Sequence, residues 1–569
     1  MQYGNKTMKK EATALTILTI ISSILIPITS TIFNANQLPA EVMRLPHDLT
    51  SLGLFSNQIV TGFLTGVVFA LIAWLLYFKP LRKVYFFILY IFTLFLIAVE
   101  VFCIANFGLT ISLPMTSIMA DTNNSTEIAG FFETYFTFKT AIFVLLLCLS
   151  GWALWHYGEK IYEHIFKNKK VYIGILVILA VISLIGTHKI GGLTASTPFY
   201  KTIYCAKYWI KTSNTLNKMS SDKTNRVEIT KNNSDTAFII FIIGESESRH
   251  FMGMYNPKYD STPLCNKLIE SGNMFAFTDT ISMKSSTAQV MTPLLSFMDN
   301  TTETTDLTKF DPIVDVFTKA GYQAFWISNH EKITKDLSYA TYMSSRCNYT
   351  TFTSKSAGNV EHISRLCLKD EVILPVLDEY IKNQVPQKDK NLFCIQIMGS
   401  HIRYKDRVPD NFNKFKYTDV IEDKLNDDQK KTVAEYMNTI YYTDYIINEI
   451  LSRFKDKDAL MVYISDHGEE MWQSGFVGHG PTSVSKYMIE IPFLIWVSDT
   501  YKTKRPANIE RIKNALNKPF MTDNLVHVML DLSDIETKQY DPTKSVINHN
   551  YKIRDRIIVN GLKYEDLRH

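Results

Sequence analysis

The sequence has few cysteines and almost no net charge. Only seven of its 569 residues are Cys, which excludes a small scaffold held together by disulfides. The formal net charge is +4, so the chain lacks the basic excess of a nucleic-acid-binding protein, and no nucleic-acid partner is expected. Apolar residues are not scarce, since 46% of the chain is hydrophobic and 13% aromatic. This composition excludes a mostly disordered chain.

Five long hydrophobic runs lie in the first 190 residues. A bilayer core about 30 Å thick needs about 20 apolar residues in a helix. One such run could be a buried core helix or a signal peptide, but five in succession predict a membrane domain of five helices over residues 1–190. The runs are 12–33, 59–78, 84–107, 140–155 and 171–187.

Basic residues are distributed unevenly around these runs. They precede the first run and occupy the second and fourth connectors, where they include Lys6, Lys9, Lys10, Lys79, Arg82, Lys83, Lys160, Lys167, Lys169 and Lys170. Because basic connectors stay in the cytoplasm, five spans place everything after about residue 190 outside. Residues 191–235, with scattered aromatics and lysines, are either a linker along the membrane interface or a plain solvated tether.

Short apolar segments alternate with helical patterns from residue 236 to 569. Near-continuous apolar strands indicate a sheet covered on both faces, and the alternation predicts a mainly parallel α/β sheet sandwiched by helices. Ligands of such sheets bind beyond the carboxyl ends of the strands. The predicted strands are 237–244, 323–328, 392–398, 459–466 and 492–497, and the predicted helices between them include 311–320, 370–382 and 428–454.

Acidic and imidazole side chains follow three of these strands. Glu245 follows the first, His401 the third, and Asp466 and His467 the fourth, with His479 a little further on. Singly, each could be a helix cap or a structural histidine. Together they bring two carboxylates and three imidazoles to one sheet edge, and these ligands suit zinc.

Hydroxyl side chains are concentrated in residues 282–293, ahead of a helical pattern. A hydroxyl at a helix start lies among unpaired N–H groups, which favour phosphate, and a nearby metal ion could lower its pKa and make it a nucleophile. An ordinary cluster of helix-capping residues is the other interpretation of this segment.

The motifs together resemble one family. "IIGESESRHFMGMYN", "STPLCNKL", "MGSH", "SDHGEE" and "GHGP", behind five predicted spans, resemble the membrane-bound phosphoethanolamine transferases of the alkaline-phosphatase/sulfatase superfamily. The resemblance implies an alkaline-phosphatase-like catalytic domain in the periplasm of a bacterium, anchored in the inner membrane. It also implies a Zn²⁺ cofactor, a phosphatidylethanolamine donor, and lipid A or another lipopolysaccharide glycan as acceptor. Nothing in the sequence suggests an obligate oligomer, so a monomer is expected.

The resemblance assigns the metal site and the nucleophile. Glu245, Asp466 and His467 match the family's zinc ligands. Its threonine nucleophile, whose oxygen also binds zinc, matches Thr287 when the sequences are aligned on the later Phe, and Ser286 when they are aligned on the nearby Pro. We choose Thr287 because family members use threonine.

The resemblance also assigns residues that contact the substrate. His401 and His479 match two histidines that hold the phosphoryl group, a second zinc ion or the leaving group. Asn329 and Arg407 match polar positions near the site. Thr122 and Glu127 resemble a lipid-headgroup loop of the family with the spacing off by one, and a solvated loop is the alternative for this segment.

The implied reaction has two steps. Thr287 attacks the phosphorus of phosphatidylethanolamine, diacylglycerol leaves, and the acceptor then removes phosphoethanolamine from the threonine. Departures from the family pattern, such as Gln396 in place of a common His, bear on which acceptor is used. Cys347 and Cys367 are the pair best placed to match a family disulfide.

Three other functions remain open from the sequence. A hydrolase of the same superfamily is one, although no C/S-x-P-x-R motif of common sulfatases follows Glu245. A glycerophosphate transferase resembling lipoteichoic acid synthase is the second. The third is a catalytically silent membrane scaffold, which would have no use for the full set of ligand residues.

Overall fold

The computed structural model describes two compact units of the chain. The described residues are 78–107, 138–165, 198–302, 306–331, 338–354, 369–480, 484–558 and 561–567, with single positions at 14, 17, 18, 66, 69, 72, 111 and 136. The N-terminal unit takes its described residues from Met1–Met119 and Phe131–Lys211, and the C-terminal unit takes its own from Thr212–His569.

The described segments of the N-terminal unit are mainly helical. Its helices are α1 (Lys79–Phe107), α2 (Phe138–Ile165) and the start of α3 (Pro198–Ser221). The stretches Pro80–Cys103 and Thr140–Tyr157 are long and apolar enough to cross a membrane. They coincide with the third and fourth predicted spans, while the other three runs lie outside the described residues apart from single positions.

Helices α1 and α2 pack closely at a glycine. A Cβ at Gly151 would lie 2.9 Å from the Leu94 side chain, so the absence of a side chain allows the two helices to approach. Tyr90 uses this closeness, because its hydroxyl donates to the carbonyl oxygen of Gly151 at 2.5 Å. In an apolar environment such a hydrogen bond satisfies a hydroxyl that has no water partner.

The predicted linker 191–235 contains regular structure. Helix α3 continues to Ser221, and strand β1 (Ile229–Asn232) pairs with a strand of the C-terminal unit. Arg346 ties down the segment between them by donating to the carbonyl oxygens of Asp222 and Thr224. The division between the two units falls at 211/212, and the location of the segment at a membrane interface stays a prediction.

The C-terminal unit alternates strands and helices. After β1, its strands are β2 (Phe238–Gly244), β3 (Met274–Ala276), β4 (Thr280–Ile281), β5 (Gln323–Glu331), β6 (Tyr349–Ser354), β7 (Asn391–Gln396), β8 (Ala459–Ser465), β9 (Glu470–Met471), β10 (Val477–Gly478), β11 (Phe493–Val497), β12 (Phe520–Met521) and β13 (Ile535–Thr537). Its helices after α3 are α4 (Pro263–Glu270), α5 (Thr287–Leu294), α6 (Ile313–Lys319), α7 (Tyr339–Arg346), α8 (Ile373–Asn383), α9 (Tyr404–Arg407), α10 (Asp427–Ser452), α11 (Lys486–Ile489), α12 (Asp499–Lys504), α13 (Pro506–Lys513), α14 (Leu525–Ser533) and α15 (Tyr564–Leu567).

Seven strands form one sheet in the order β3-β11-β8-β2-β7-β5-β6. Strands β8, β2, β7, β5 and β6 run parallel to one another, whereas β11 is antiparallel to both of its neighbours. The five predicted strands are confirmed as β2, β5, β7, β8 and β11. The mainly parallel sheet is confirmed as well, with β11 as its one reversed strand among the described residues.

Strand β2 shows why the central strands are almost entirely apolar. Its side chains alternate between two hydrophobic clusters, because successive residues of a strand point to opposite faces. Ile239, Phe241 and Ile243 belong to one cluster, and Ile240 and Ile242 to the other. Both faces of the sheet are therefore buried, as expected for parallel strands covered by helices.

Helix α10 covers one of these faces and begins at a defined cap. Asn426 Oδ1 accepts from the backbone N–H of Gln429 at 2.9 Å, and Gln429 Oε1 accepts from the N–H of Asn426 at 3.0 Å. This reciprocal pair satisfies two N–H groups that a helix start leaves unpaired. Further along, Ile446 and Ile450 are fully buried against the sheet.

Candidate active site

Three neighbouring strands deliver the candidate site residues to one edge of the sheet. Strands β8, β2 and β7 are adjacent and parallel, so their carboxyl ends meet at the same edge. Asp466 directly follows β8, Glu245 directly follows β2, and His401 lies five residues beyond β7. The sheet topology therefore brings together side chains that are far apart in the sequence.

Four of the predicted residues form one cluster, in which Thr287 is half-buried and the other three are buried. Thr287 Oγ1 lies 3.1 and 3.2 Å from the two carboxylate oxygens of Glu245 and 3.3 Å from His467 Nε2. His467 Nε2 is in turn 3.3 Å from Glu245 Oε1 and 3.5 Å from Asp466 Oδ2. Ligand atoms of Glu245, Asp466 and His467 all lie within 4.8 Å of one another. This arrangement could hold a single metal ion.

The electrostatics of the cluster fit a cation. Burial and the charge of Glu245 raise the pKa of Asp466. Burial also opposes the ionisation of Glu245, but its contact with His467 holds the pKa of Glu245 low, and the two carboxylates raise the pKa of His467 despite burial. Asp466 Oδ2 is buried without a hydrogen-bond partner among the described residues. Two buried carboxylates and an unpaired oxygen are costly alone, and a divalent cation would relieve that cost.

The two candidate nucleophiles differ in what they contact. Ser286 is in an extended conformation at the start of α5, and its hydroxyl donates to Gln289 Oε1 at 3.1 Å. The hydroxyl of Thr287, one residue later, faces Glu245 and His467 instead. In this geometry only the Thr287 oxygen of the two lies among the candidate metal ligands.

Two serines fasten the Thr287 segment to the segments that follow β8. Ser282 Oγ donates to the carbonyl oxygen of Asp466 at 2.5 Å, and Ser285 Oγ donates to the carbonyl oxygen of Gly480 at 2.6 Å. Both serines are fully buried. The hydroxyl-rich segment is therefore held against the metal cluster by side chains as well as by packing.

His401 contacts Arg407, which was expected to bind substrate. Arg407 Nη2 lies 3.1 Å from His401 Nδ1, and it also donates to the carbonyl oxygen of Ile402 at 3.3 Å. Burial first, and then the Arg407 charge, lowers the pKa of His401 to about 3. The backbone N–H of the preceding residue, Ser400, donates to the carbonyl oxygen of Glu245 at 2.9 Å, so the chain at His401 runs beside the metal cluster.

His479 belongs to a second chain of contacts. Its Nδ1 lies 2.6 Å from Glu469 Oε2, and Glu469 Oε1 accepts from the Tyr404 hydroxyl at 2.7 Å. The His479 ring lies 4.0 Å, centroid to centroid, from the ring of His467. His467, Glu469 and His479 form a second group with ligand atoms close together. In it, a carboxylate already pairs with one ring nitrogen of His479.

The other residues predicted from the resemblance lie apart from this cluster or outside the described residues. Asn329 is fully buried, and its amide donates to Asp370 Oδ1 at 2.8 Å while its Oδ1 accepts from Thr353 at 2.7 Å. Thr122 and Glu127 lie outside the described residues. Cys347 has a free thiol, and its suggested partner Cys367 also lies outside the described residues.

Sequence reasoning missed three side chains of this region. His330 Nε2 lies 3.9 Å from Glu245 Oε2 and contacts the carbonyl oxygen of Ile397 at 3.0 Å. Its place at the end of a buried strand, next to Asn329, was a usable signal. Glu469 and Tyr404 had none, because their contacts depend on how the segments after β7 and β8 fold together.

The comparisons with known proteins mainly concern the C-terminal unit. The sulfatase family matches residues 237–535. Phosphoethanolamine transferase EptC of Escherichia coli K12 is 26% identical over 332 residues, which are 57% of this chain and 56% of EptC. Phosphoethanolamine transferase EptA of Helicobacter pylori is 27% identical over 322 residues, 56% of this chain and 58% of EptA. The chain thus spans little more than half the length of these curated relatives.

Two solved structures share the fold. The C-terminal periplasmic domain of E. coli EptC in complex with Zn is 24% identical, with a TM-score of 0.52, and covers 59% of this chain and 94% of that domain. The integral membrane protein lipooligosaccharide phosphoethanolamine transferase A from Neisseria meningitidis is 18% identical, with a TM-score of 0.59, and covers 94% of this chain and 97% of its own.

Proposed function

The chain belongs to the sulfatase family, and from this premise we propose that it is a zinc-dependent phosphoethanolamine transferase. The proposed donor is phosphatidylethanolamine, the proposed acceptor is lipid A or another lipopolysaccharide glycan, and diacylglycerol is released. One observation carries the proposal, namely that the Thr287 hydroxyl lies 3.1–3.3 Å from Glu245 and His467. The names of the curated relatives support the transferred group.

Glu245, Asp466, His467 and the Thr287 oxygen are the proposed zinc ligands. Zinc accepts carboxylate and imidazole ligands in four-coordinate sites, and a relative of the same fold was crystallised with Zn. When bound, zinc would lower the pKa of the Thr287 hydroxyl and so make it a better nucleophile at neutral pH.

In the first step, Thr287 is the nucleophile and His479 transfers the proton. Thr287 Oγ1 forms a bond to the donor phosphorus as the bond from phosphorus to the diacylglycerol oxygen breaks. The Glu469 carboxylate accepts a hydrogen bond from His479 Nδ1–H. The neutral ring of His479 therefore carries its lone pair on Nε2. His479 is therefore suited to take the threonine proton and return it to the departing diacylglycerol oxygen.

The second step reverses these roles. An acceptor hydroxyl or phosphate attacks the phosphoethanolamine carried by Thr287, and the threonine oxygen becomes the leaving group. Since both substrates are lipids, two-dimensional confinement near a membrane raises their effective concentration at the site. The two described helices that could cross a membrane fit this requirement.

The location follows the same proposal. The chain is a multi-pass protein of the bacterial inner membrane with five spans, and its catalytic unit lies in the periplasm and acts as a monomer. Asn329, Thr122, Glu127 and Arg407 were assigned to the substrate by resemblance. For all four residues that assignment stays a prediction.

Intact-mass spectrometry of the full-length protein in detergent tests the proposed function. After incubation with phosphatidylethanolamine, we expect one added phosphoethanolamine unit on the peptide 282–293. Thr287→Ala should form no adduct, whereas Ser286→Ala, the matched control one residue away, should form it at close to the normal level. The reverse pattern would move the nucleophile to Ser286.

Two other outcomes lead to different functions. An adduct of glycerophosphate size, formed only with phosphatidylglycerol, would indicate a glycerophosphate transferase. No adduct from either lipid, with zinc retained, together with release of free phosphoethanolamine into solution, would indicate a hydrolase.

A further inference from the structure

Arg407 is buried and aimed at a histidine of the candidate active site. Its side chain belongs to the short helix α9, which follows Arg403 in a left-handed backbone conformation (φ 69°). Arg407 is only 7% exposed. One guanidinium nitrogen, Nη2, contacts both His401 Nδ1 at 3.1 Å and the carbonyl oxygen of Ile402 at 3.3 Å. The guanidinium is thus anchored to the backbone next to the imidazole that it contacts.

This contact fixes which nitrogen of His401 carries the proton. A guanidinium has donors only and stays charged in proteins, so His401 Nδ1 must be the acceptor. The proton of the neutral ring is then on Nε2. A second proton on Nδ1 would point at the Arg407 cation and is disfavoured. The other charged or titratable groups acting on His401 are Glu245, His330 and His479.

We propose that Arg407 is a positioning residue that holds His401 as a neutral Nε2–H donor to an oxygen of the phosphoryl group. This inference rests on the proposed function, because it assumes that the site takes a phosphoryl group. It also reassigns Arg407, which acts through His401 and does not bind the substrate itself.

The two histidines thereby receive opposite tautomers from their neighbours. Arg407 donates to His401 Nδ1 and leaves a donor on Nε2, whereas Glu469 accepts from His479 Nδ1 and leaves a lone pair on Nε2. Arg407 and Tyr404, the partner of Glu469, are the two ends of helix α9. One helical turn therefore sets a hydrogen-bond donor and a proton acceptor in the same site.

Binding of inorganic phosphate tests the inference without relying on turnover. The full-length, zinc-loaded protein in detergent is titrated with phosphate by calorimetry. His401→Gln, whose amide N–H can take the place of Nε2–H, should keep the dissociation constant within about threefold of the unmodified chain. His401→Ala should weaken binding about tenfold, the effect of one lost hydrogen bond, and Arg407→Met should weaken it by a similar factor.

The decisive comparison is the effect of Arg407→Met in the unmodified chain against its effect in the His401→Gln variant. A glutamine has no tautomer to set, so Arg407→Met should cost less than about twofold when it is added to His401→Gln. Arg407→Lys keeps a donor-only cation and should bind phosphate more tightly than Arg407→Met. It serves as the second variant if Arg407→Met does not fold. Zinc content and thermal unfolding are measured for every variant.

Several results would overturn the inference. One is equal loss of phosphate binding from Arg407→Met in both backgrounds, which would mean that Arg407 binds phosphate directly. Others are binding by His401→Gln as weak as that of His401→Ala, or no phosphate binding by the unmodified chain. Failure to form the Thr287 adduct, with the expected phosphate pattern intact, would instead count against the transferase alone.

Discussion

Two buried carboxylates face a single imidazole at the centre of the site. Glu245 and Asp466 are 2% and 1% exposed, and they come from neighbouring strand ends. Their mutual repulsion in a buried site is costly unless a cation lies between them. His467 meets both carboxylates with the same atom, Nε2, which lies 3.3 Å from one and 3.5 Å from the other, so they share at most one N–H. The residues alone thus argue for a metal ion.

Asp466→Asn tests that argument at the residue scale. Removing one anionic ligand should lower zinc retention at least tenfold and abolish adduct formation at Thr287, because the site loses a charge and a coordinating oxygen. Zinc is measured by mass spectrometry of the dialysed protein. Full zinc occupancy in this variant would falsify the ligand assignment.

A matched control exists elsewhere in the same unit. Asp444 is also a buried carboxylate, but it accepts from the backbone N–H groups of Leu264 and Cys265 at 2.8 Å. Asp444→Asn should lower the free energy of unfolding by about 1–2 kcal/mol and leave zinc content unchanged. Equal zinc loss in both variants would point to general misfolding as the cause.

Strands β2 and β8 approach each other closely just before the site. Gly244 ends β2, and a Cβ at this position would lie 2.3 Å from the Tyr463 hydroxyl oxygen. Tyr463 is fully buried, and its hydroxyl donates to Glu247. Glu247 is fully buried as well, so the Tyr463 hydroxyl has little space to move aside. The glycine is therefore required by a contact between elements that are 219 residues apart in the numbering of the chain.

Gly244→Ala should destabilise the C-terminal unit by about 1–3 kcal/mol, the usual cost of overpacking a core. Chemical unfolding followed by tryptophan fluorescence measures it. In the double variant with Tyr463→Phe the added cost should shrink, because the clashing oxygen is gone. Strictly additive effects of the two substitutions would contradict this account.

At the level of elements, the sequence predicted what burial dictates. The five strands that it located are apolar on both faces, a pattern that only central strands need. It missed β3 and β6, which lie at the two edges of the sheet, where β6 reads Tyr-Thr-Thr-Phe-Thr-Ser and β3 has three residues. Edge strands are short or polar in many proteins, so they carry no such pattern.

Some features of the candidate site could also be predicted from the sequence, and others could not. Glu245, Asp466 and His467 could be found because each follows a predicted strand, and a parallel sheet gathers its strand ends at one edge. The tautomers of His401 and His479 could not be predicted, because they depend on contacts with Arg407 and Glu469 that form only when the chain folds. The direction of β11 was missed as well, since an apolar strand pattern is the same in either direction.

The dependence of stability on acidic pH is a property of the whole C-terminal unit. Burial opposes the ionisation of Glu490, but the contacts of His250 and Arg249, 2.8 and 2.6 Å from its Oε2, hold the pKa of Glu490 at about 2. Asp299 also has a pKa of about 2, because Lys544 and Thr301 outweigh burial. A carboxyl whose pKa is lowered by folding stabilises the protein above its unfolded pKa and loses that effect toward its folded pKa.

Stability should therefore fall as the pH decreases from about 5 to about 2. Glu490→Gln should lower the free energy of unfolding by about 3–5 kcal/mol at pH 7, as expected when one partner of a buried ion pair is removed. Its difference from the unmodified chain should shrink over the same pH window. Urea unfolding at a series of pH values measures both. A difference that stays constant down to pH 2 would show that the Glu490 charge is not responsible.

The number of spans decides on which side of the membrane the catalytic unit lies. Basic residues before the first hydrophobic run indicate a cytoplasmic N-terminus, and an odd number of spans then places the catalytic unit in the periplasm. Two candidate spans, in α1 and α2, lie among the described residues. An even total number of spans would place the C-terminal unit on the opposite, cytoplasmic side. The parity is therefore the quantity to measure.

Reporter fusions at the C-terminus of the full-length chain measure that parity. With five spans, alkaline phosphatase fused after His569 should be active, and a green fluorescent protein at the same position should stay dark, because it does not fold after export. An epitope inserted in the basic connector at 79–83 should react with antibody only after the inner membrane is permeabilised. A fluorescent C-terminal fusion, with that connector still protected, would mean an even number of spans. The catalytic unit would then be in the cytoplasm, on the opposite side of the membrane from the surface glycolipids proposed as its acceptors.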